Sequence, residues 1–195
     1  MGDPFFPPSE KPAPSDSRGP RPWAGPPEVS FSGLLPMQRV LLRRVGAIIV
    51  LIEIRAFTTG CVLELDFVAR PEGPVEDRPS VRFTRAAAGG GPQIGVRFAD
   101  GRKAINGEHV LVPESAPEPP ILRSFVGVGF HRRDTYVRLR EQLWLWPLPP
   151  AEDFELVVVW PGMGIQEVHS VLDGAAIVAA STESQPYWPA DSAPQ

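Results

Sequence analysis

A chain of 195 residues is the size of one domain, and a formal charge of −4 at pH 7 argues against a generic affinity for nucleic acid. Apolar residues at 43% and charged residues at 22% are ordinary for a globular protein, but 25 Pro and 18 Gly exclude a helix-dominated fold. Cys61 is the only cysteine, which excludes an intrachain disulfide and a multi-cysteine zinc cluster.

Of the 19 basic residues only Lys11 and Lys103 are lysines. With abundant Ala, Gly, Pro and Val, that bias points to a GC-rich genome more than to a task. The opening MGDPFFPPSEKPAP has no basic region followed by an apolar run, so no secretory signal is expected. Phe6 stands where a myristoylation signal needs Ser or Thr. The most apolar run, Ala47 to Ile52, is far shorter than the roughly 20 residues of a membrane helix. The expected location is the cytoplasm.

Residues 1–33 are Pro- and Ser-rich, and their apolar side chains (Phe5, Phe6, Trp23) are isolated. Such a segment buries too little to offset the entropy of ordering, so a disordered tail is expected. Its functional alternative is a docking tail anchored by Phe5-Phe6 or Trp23. Residues 34–188 are expected to form a single domain, and 189–195 a flexible end.

Gln38 to Val45 reads as a strand carrying Arg39, Arg43 and Arg44. In Gly46 to Phe57, one face holds Ile48, Val50, Ile52, Ile54 and Ala56, and the other Ile49, Leu51, Glu53, Arg55 and Phe57. Thr58-Thr59-Gly60 turns into Cys61 to Ala69, where Cys61, Leu63, Leu65 and Phe67 alternate with Val62, Glu64, Asp66 and Val68. Residues 46–69 are therefore expected to form a hairpin with one wet face. Arg70 to Ser80 reads as a loop, Val81 to Arg85 as a short strand and Ala86 to Pro92 as a flexible link. Ile94 to Phe98 is expected to return through the turn Ala99-Asp100-Gly101 to Lys103–Asn106. Gly107 to Val112 has no pattern, and Pro113 to Pro120 is a loop. Ile121 to Phe130 is apolar, with Gly127 and Gly129 at alternate positions, and Arg132 to Asp134 forms a charged turn.

Glu141 to Trp160 holds two dense apolar runs around the Pro-rich break Pro147 to Asp153. This reads as a hairpin pairing Trp146 with Phe154, Trp144 with Leu156, Gln142 with Val158 and Arg140 with Trp160. Both faces are apolar, so cover is expected on both sides, from a second sheet, a helix or another molecule. Ile165 to Leu172 reads as a last strand. Asp173 is an N-cap for the one helix, Gly174 to Ser181, after which Tyr187 and Trp188 are expected to pack back on the domain. Short strands separated by Gly and Pro loops, with one late helix, predict an all-β, two-layer β-sandwich, immunoglobulin-like as one option. The hairpins 46–69 and 142–160 are the expected cores of its two sheets.

No catalytic, cofactor-binding or metal-binding residue is predicted, and no cofactor. Cys61 shares a face with Leu63, Leu65 and Phe67 and reads as a core residue. His109, His131 and His169 lie in separate segments without ligand spacing, so an enzyme would need a site assembled from distant residues. Glu64 with Asp66 reads as a solvated pair. The one basic segment with aromatic interleaving contains Arg132, Arg133, Tyr136, Arg138 and Arg140. Arg138 and Arg140 share the face of Trp144 and Trp146, so these five residues are the candidate contacts for an anion, an acidic partner or single-stranded nucleic acid. The plainer reading is that the arginines edge the sheet and cover aromatic surface with their stems.

Ile54-Arg55-Ala56-Phe57-Thr58-Thr59-Gly60, Phe98-Ala99-Asp100-Gly101-Arg102, Leu143-Trp144-Leu145-Trp146-Pro147-Leu148-Pro149-Pro150, and Trp160-Pro161 followed by Gly164-Ile165 together carry a likeness. From about Pro36 to Trp188 the chain resembles an uncharacterised family of actinomycete proteins. The resemblance implies a bacterial, intracellular, single-domain protein and nothing about mechanism. The expected function is a non-catalytic interaction module whose partner is a protein, another or a second copy of itself, with nucleic acid and membrane not expected.

Overall fold

The chain's alternating apolar pattern is realised as strands in nearly every segment of the computed structural model, which describes residues 21–70, 91–106, 114–124, 135–188 and the backbone of 129–132. The larger sheet runs β2 (Gly33–Arg44), β3 (Ala47–Phe57), β4 (Gly60–Ala69) and β9 (Val137–Trp146). On the far side of β9 lie β7 (Ile121–Ser124) and β8 (Gly129–Arg132). The smaller sheet has the order β11 (Ile165–Leu172), β10 (Phe154–Trp160), β5 (Gln93–Arg97), β6 (Lys103–Ile105). A two-stranded ladder joins β1 (Ser30–Phe31) to β12 (Gln185–Pro186). All pairings are antiparallel. The chain is all-β and sandwich-like. Its larger sheet begins with three sequential neighbours, which is not the immunoglobulin strand order.

The hairpin over 46–69 forms as expected, with Phe57 opposite Gly60 across a two-residue turn. Two details of its faces differ: the expected wet face is absent on β4, where Val62, Glu64 and Asp66 are all buried, and the alternation of β3 changes phase. A bulge between Leu51 and Glu53 inserts Ile52 and reverses the alternation, because one extra residue moves every later side chain to the other face. Ile49, Leu51, Ile54 and Ala56 are therefore buried together, while Ile48 and Val50 share the outer face with Glu53, Arg55 and Phe57.

The hairpin over 142–160 does not form. Trp144 lies opposite Val62, Gln142 opposite Glu64 and Arg140 opposite Asp66, all within the larger sheet. Leu156 is flanked instead by Val96 and Ser170 in the smaller one. The segment Pro147 to Asp153 is a crossover between layers, held at its start by the Leu148 N–H donating to the Thr59 carbonyl at 3.1 Å. Its length and three prolines suit a passage between sheets about 10 Å apart better than a tight turn. The apolar pattern on both faces marks burial on both sides of β9, but β10 is buried on its inner face alone, with Val157 and Val159 half-buried on the outer face of the smaller sheet.

The two inner faces meet in one core. Leu63, Leu65 and Phe67 from β4 and Leu143 and Leu145 from β9 pack with Leu156, Val158 and Trp160 from β10. The Phe67 and Trp160 rings cross this gap at 5.6 Å and 89°, an edge-to-face contact between layers. Helix α1 (Gly174–Ser181) begins as expected, with the Asp173 carboxylate accepting from the Ala176 N–H at 2.9 Å. It packs on β2 and β3 and sends Ile177 and Ala180 into the same core. Gly33 makes this approach possible, since a Cβ there would stand 1.7 Å from the Ala180 carbonyl oxygen.

One long edge is blunted. β2 carries bulges between Pro36 and Arg39 and between Val40 and Leu42, with Gln38 at a left-handed φ of 44°. Arg39 donates to the Val171 carbonyl at 2.7 Å, tying this edge to β11. Proline, bulges and arginines are devices that oppose edge-to-edge pairing, so self-association along β2 is disfavoured.

The disordered tail expected for 1–33 is corrected over 21–33. Trp144 donates its indole N–H to the Pro22 carbonyl at 2.8 Å, and Trp23 meets Trp146 edge-on at 6.2 Å. Trp23 is isolated in sequence but finds its apolar partner on the sheet's outer face. Residues 1–20, with Phe5 and Phe6, and 189–195 lie outside the described residues. So do the strand expected at Val81–Arg85, most of the loop and link on either side of it, Gly107–Val112, Gly127, and Arg133 and Asp134 of the charged turn. The apolar run from Ile121 is found as two strands, β7 and β8, on the same edge of β9.

Candidate interaction surfaces

Of the basic segment, Arg138 and Arg140 lie on β9, where alternation sends even-numbered residues to the outer face of the larger sheet. There Arg138 and Arg140 are not free cations. Arg138 donates through Nε to Asp66 Oδ1 at 3.2 Å and through Nη2 to Oδ2. Arg140 donates through Nε to Asp66 Oδ1 at 3.1 Å and lies 3.4 Å from Glu64. Gln142 donates to Glu64 at 2.7 Å, and Arg55 approaches Glu53 at 3.4 Å and Glu64 at 3.8 Å. Register explains the lattice: Asp66 is directly opposite Arg140, and Glu64 opposite Gln142.

Glu64 and Asp66 are therefore not a solvated pair, being 7% and 5% exposed. Burial alone would raise the Asp66 carboxyl, but the hydrogen bonds and charges of Arg138 and Arg140 outweigh it, and the net direction is below the ordinary aspartate value. With the same two arginines answered by carboxylates, the anion reading of the segment loses its best-placed cations. The guanidinium over an indole also gives way to these ion pairs. Tyr136 is half-buried beside the strand. Arg132 is in β8 with only its backbone described, and Arg133 is outside the described residues.

Further along the same face, Phe57, Val62 and Trp144 form a second apolar cluster with Trp146 against it. The strap from Pro22 to Trp23 covers it, which fills what would otherwise be an aromatic surface.

On the inward side of β9, Glu141 is buried with its Oε1 accepting from Asn106 Nδ2 at 2.8 Å and Ser124 Oγ at 2.5 Å. Together the three residues join β9 to β7 and to the residue that follows β6. No sequence motif announces this cluster; only a charged residue in an apolar alternation hints at it.

Cys61 is in the core as expected, and burial pushes its thiol up to about 12. The folded protein is expected to show no reaction with a disulfide reagent at neutral pH and to release one thiol equivalent in denaturant; fast labelling before unfolding would contradict this burial. His169 stands on the outer face of the other sheet, 3.0 Å from Glu167 and 3.6 Å from Glu155. Among the described residues no three of His, Cys, Asp and Glu gather as a metal site. His109 and the side chain of His131 are not among them.

Two exposed surfaces stand out among the described residues. One is the outer face of the smaller sheet, a groove of about 270 Å³ floored by Gly95 and flanked by Ile105, Val157, Val159, Lys103 and His169. Beside it Arg97 donates to Glu155 at 2.8 Å, and that hydrogen bond holds the Glu155 carboxyl below its ordinary value. The other is an aromatic platform on the β1–β12 ladder. Phe31, Tyr187 and Trp188 are 43%, 57% and 62% exposed, with ring centroids 6.0 Å and 5.9 Å apart in succession. Tyr187 is fixed by its N–H donating to the Val29 carbonyl at 2.9 Å, so the expected return of Tyr187 and Trp188 is met by the backbone while the rings stay outside. No helix among the described residues is long and apolar enough to cross a membrane. No protein-family model, no curated protein and no solved structure matches the chain, so the likeness to actinomycete proteins rests on the quoted segments alone.

Proposed function

We propose that this chain is a cytoplasmic, non-catalytic protein-interaction module, and that its partner docks on the platform formed by Phe31, Tyr187 and Trp188. The observation that carries the reading is the exposure of three aromatic rings in a row, Phe31 against Tyr187 and Tyr187 against Trp188, at the end of a hydrogen-bonded ladder. Tyr and Trp at such positions offer large apolar area with few torsions to freeze, which is the composition of interface hot spots. The apolar hairpin expected from sequence does not motivate this reading: its two strands lie in different sheets, and the outer face left open on β10 is a separate surface from the platform. A single buried, reduced cysteine suits a reducing compartment.

The test is capture from native lysate at low and high salt with wild type and Trp188→Ser. A protein retained by the wild type at both salts and weakened at least about tenfold by the substitution supports the reading. Equal retention by the variant, or retention at low salt alone, overturns it.

A further inference from the structure

The outer face of the smaller sheet is self-complementary. Its two central strands, β10 and β5, align three outward cross-strand pairs: Glu155 with Arg97, Val157 with Gly95, and Val159 with Gln93. Within these pairs an acid faces a base, and a branched side chain faces a glycine with no side chain. A twofold axis laid parallel to the strands, midway between β10 and β5, carries each residue over the partner of its own pair in a second molecule. Val157 then enters the hollow above the other copy's Gly95, and Glu155 meets the other copy's Arg97, each contact made twice.

The flanking strands continue the pattern. Ile105 lies beside Gly95 and His169 beside Val157, while Lys103 lies beside Arg97 and Val171 beside Glu155. The β5–β6 side of the face is thus basic, with Arg97 and Lys103, and the β10–β11 side acidic, with Glu155 and Glu167. The same axis lays one side over the other. Ile105 and Val171, both exposed in the single chain, become covered.

We propose that a second copy of this chain docks face to face on β11, β10, β5 and β6, forming a symmetric dimer centred on Val157 and Gly95. This surface is separate from the aromatic platform, so the two readings stand or fall independently. Strands about 4.8 Å apart and rising about 3.3 Å per residue make the face only about 19 Å by 17 Å. That is smaller than the roughly 800 Å² per partner of a standard interface, and the dimer is accordingly weak and exchanging.

Sedimentation velocity of the full-length protein, from tens of micromolar to about one millimolar, tests the proposal. The weight-averaged coefficient is expected to rise toward that of a dimer, and Val157→Lys is expected to weaken association at least about tenfold, because two ammonium groups meet at the axis. Ile105→Lys, at the edge strand, serves where Val157→Lys alters the circular dichroism. Val40→Lys, on the blunted β2 edge, is expected to behave as wild type. A protein that is monomeric throughout, or folded Val157→Lys and Ile105→Lys variants that both dimerise like wild type, overturns the proposal. Association abolished by Trp188→Ser and untouched by Val157→Lys also overturns it and moves the self-contact to the platform.

Discussion

Trp160→Ala is expected to lower the unfolding free energy by about 3–5 kcal/mol in urea titration, the range for removing a buried aromatic residue from a core. The residue ends β10 with none of its surface exposed, and its ring stands edge-on to Phe67 of the opposite sheet. Losing it removes the ring contact and leaves a gap between two layers that the flanking Phe67 and Ile165 fill only in part. The matched control is Trp188→Ala, which deletes the same side chain from a position 62% exposed and is expected to stay within about 0.5 kcal/mol of wild type. Equal midpoints for the two variants would mean that Trp160 does not join the layers as described. A drop in the slope with denaturant as well as the midpoint would mean that the sheets part before the whole domain unfolds.

What sequence can and cannot specify is visible in β4 and β9. The alternation of Cys61, Leu63, Leu65 and Phe67 with Val62, Glu64 and Asp66 sorts the faces of β4 correctly, and the Asp173 cap locates α1, because both signals are local. Partners are another matter. Asp66 and Arg138 are 72 positions apart, and nothing in either segment's period says that they are neighbours. The turn at Thr58-Thr59 is short enough to force pairing, whereas Pro147 to Asp153 leaves the choice between hairpin and crossover to packing. Glu64 and Asp66 looked solvated for the same reason: a carboxylate on an outer face is wet unless a cation from a distant strand covers it. The bulge at Ile52 was equally silent, since a strand apolar on both faces tolerates either phase. The candidate site is consequently less legible than the fold. Arg138 and Arg140 are on the predicted face, but their charge is spent within the sheet, while the open surfaces are built from Gly95, Val157 and the Phe31–Tyr187 contact, none of which forms a motif.

Asp66→Asn is expected to cost about 2 kcal/mol at pH 7, between an exposed ion pair and a broken buried one. The carboxylate is buried and accepts from two arginines whose own side chains are 39% and 41% exposed. Water therefore screens the guanidiniums left behind, which keeps the loss below that of a fully enclosed pair. Its dependence on pH separates charge from shape. The folded protein holds Asp66 below the ordinary aspartate value of about 3.9, so its contribution to stability is present above that value and is lost as pH falls through the lower, folded one. Asn cannot titrate. The gap between wild type and variant should accordingly be constant from neutral pH down to about pH 5 and close progressively below about pH 4, as the wild type protonates and approaches the variant. Thermal or urea unfolding across that range measures it. A gap of the same size at pH 3 and pH 7 would assign the loss to geometry rather than to the arginine pairing. A gap that instead shrinks in high salt at pH 7 would show that the lattice is open enough for counter-ions to replace the carboxylate.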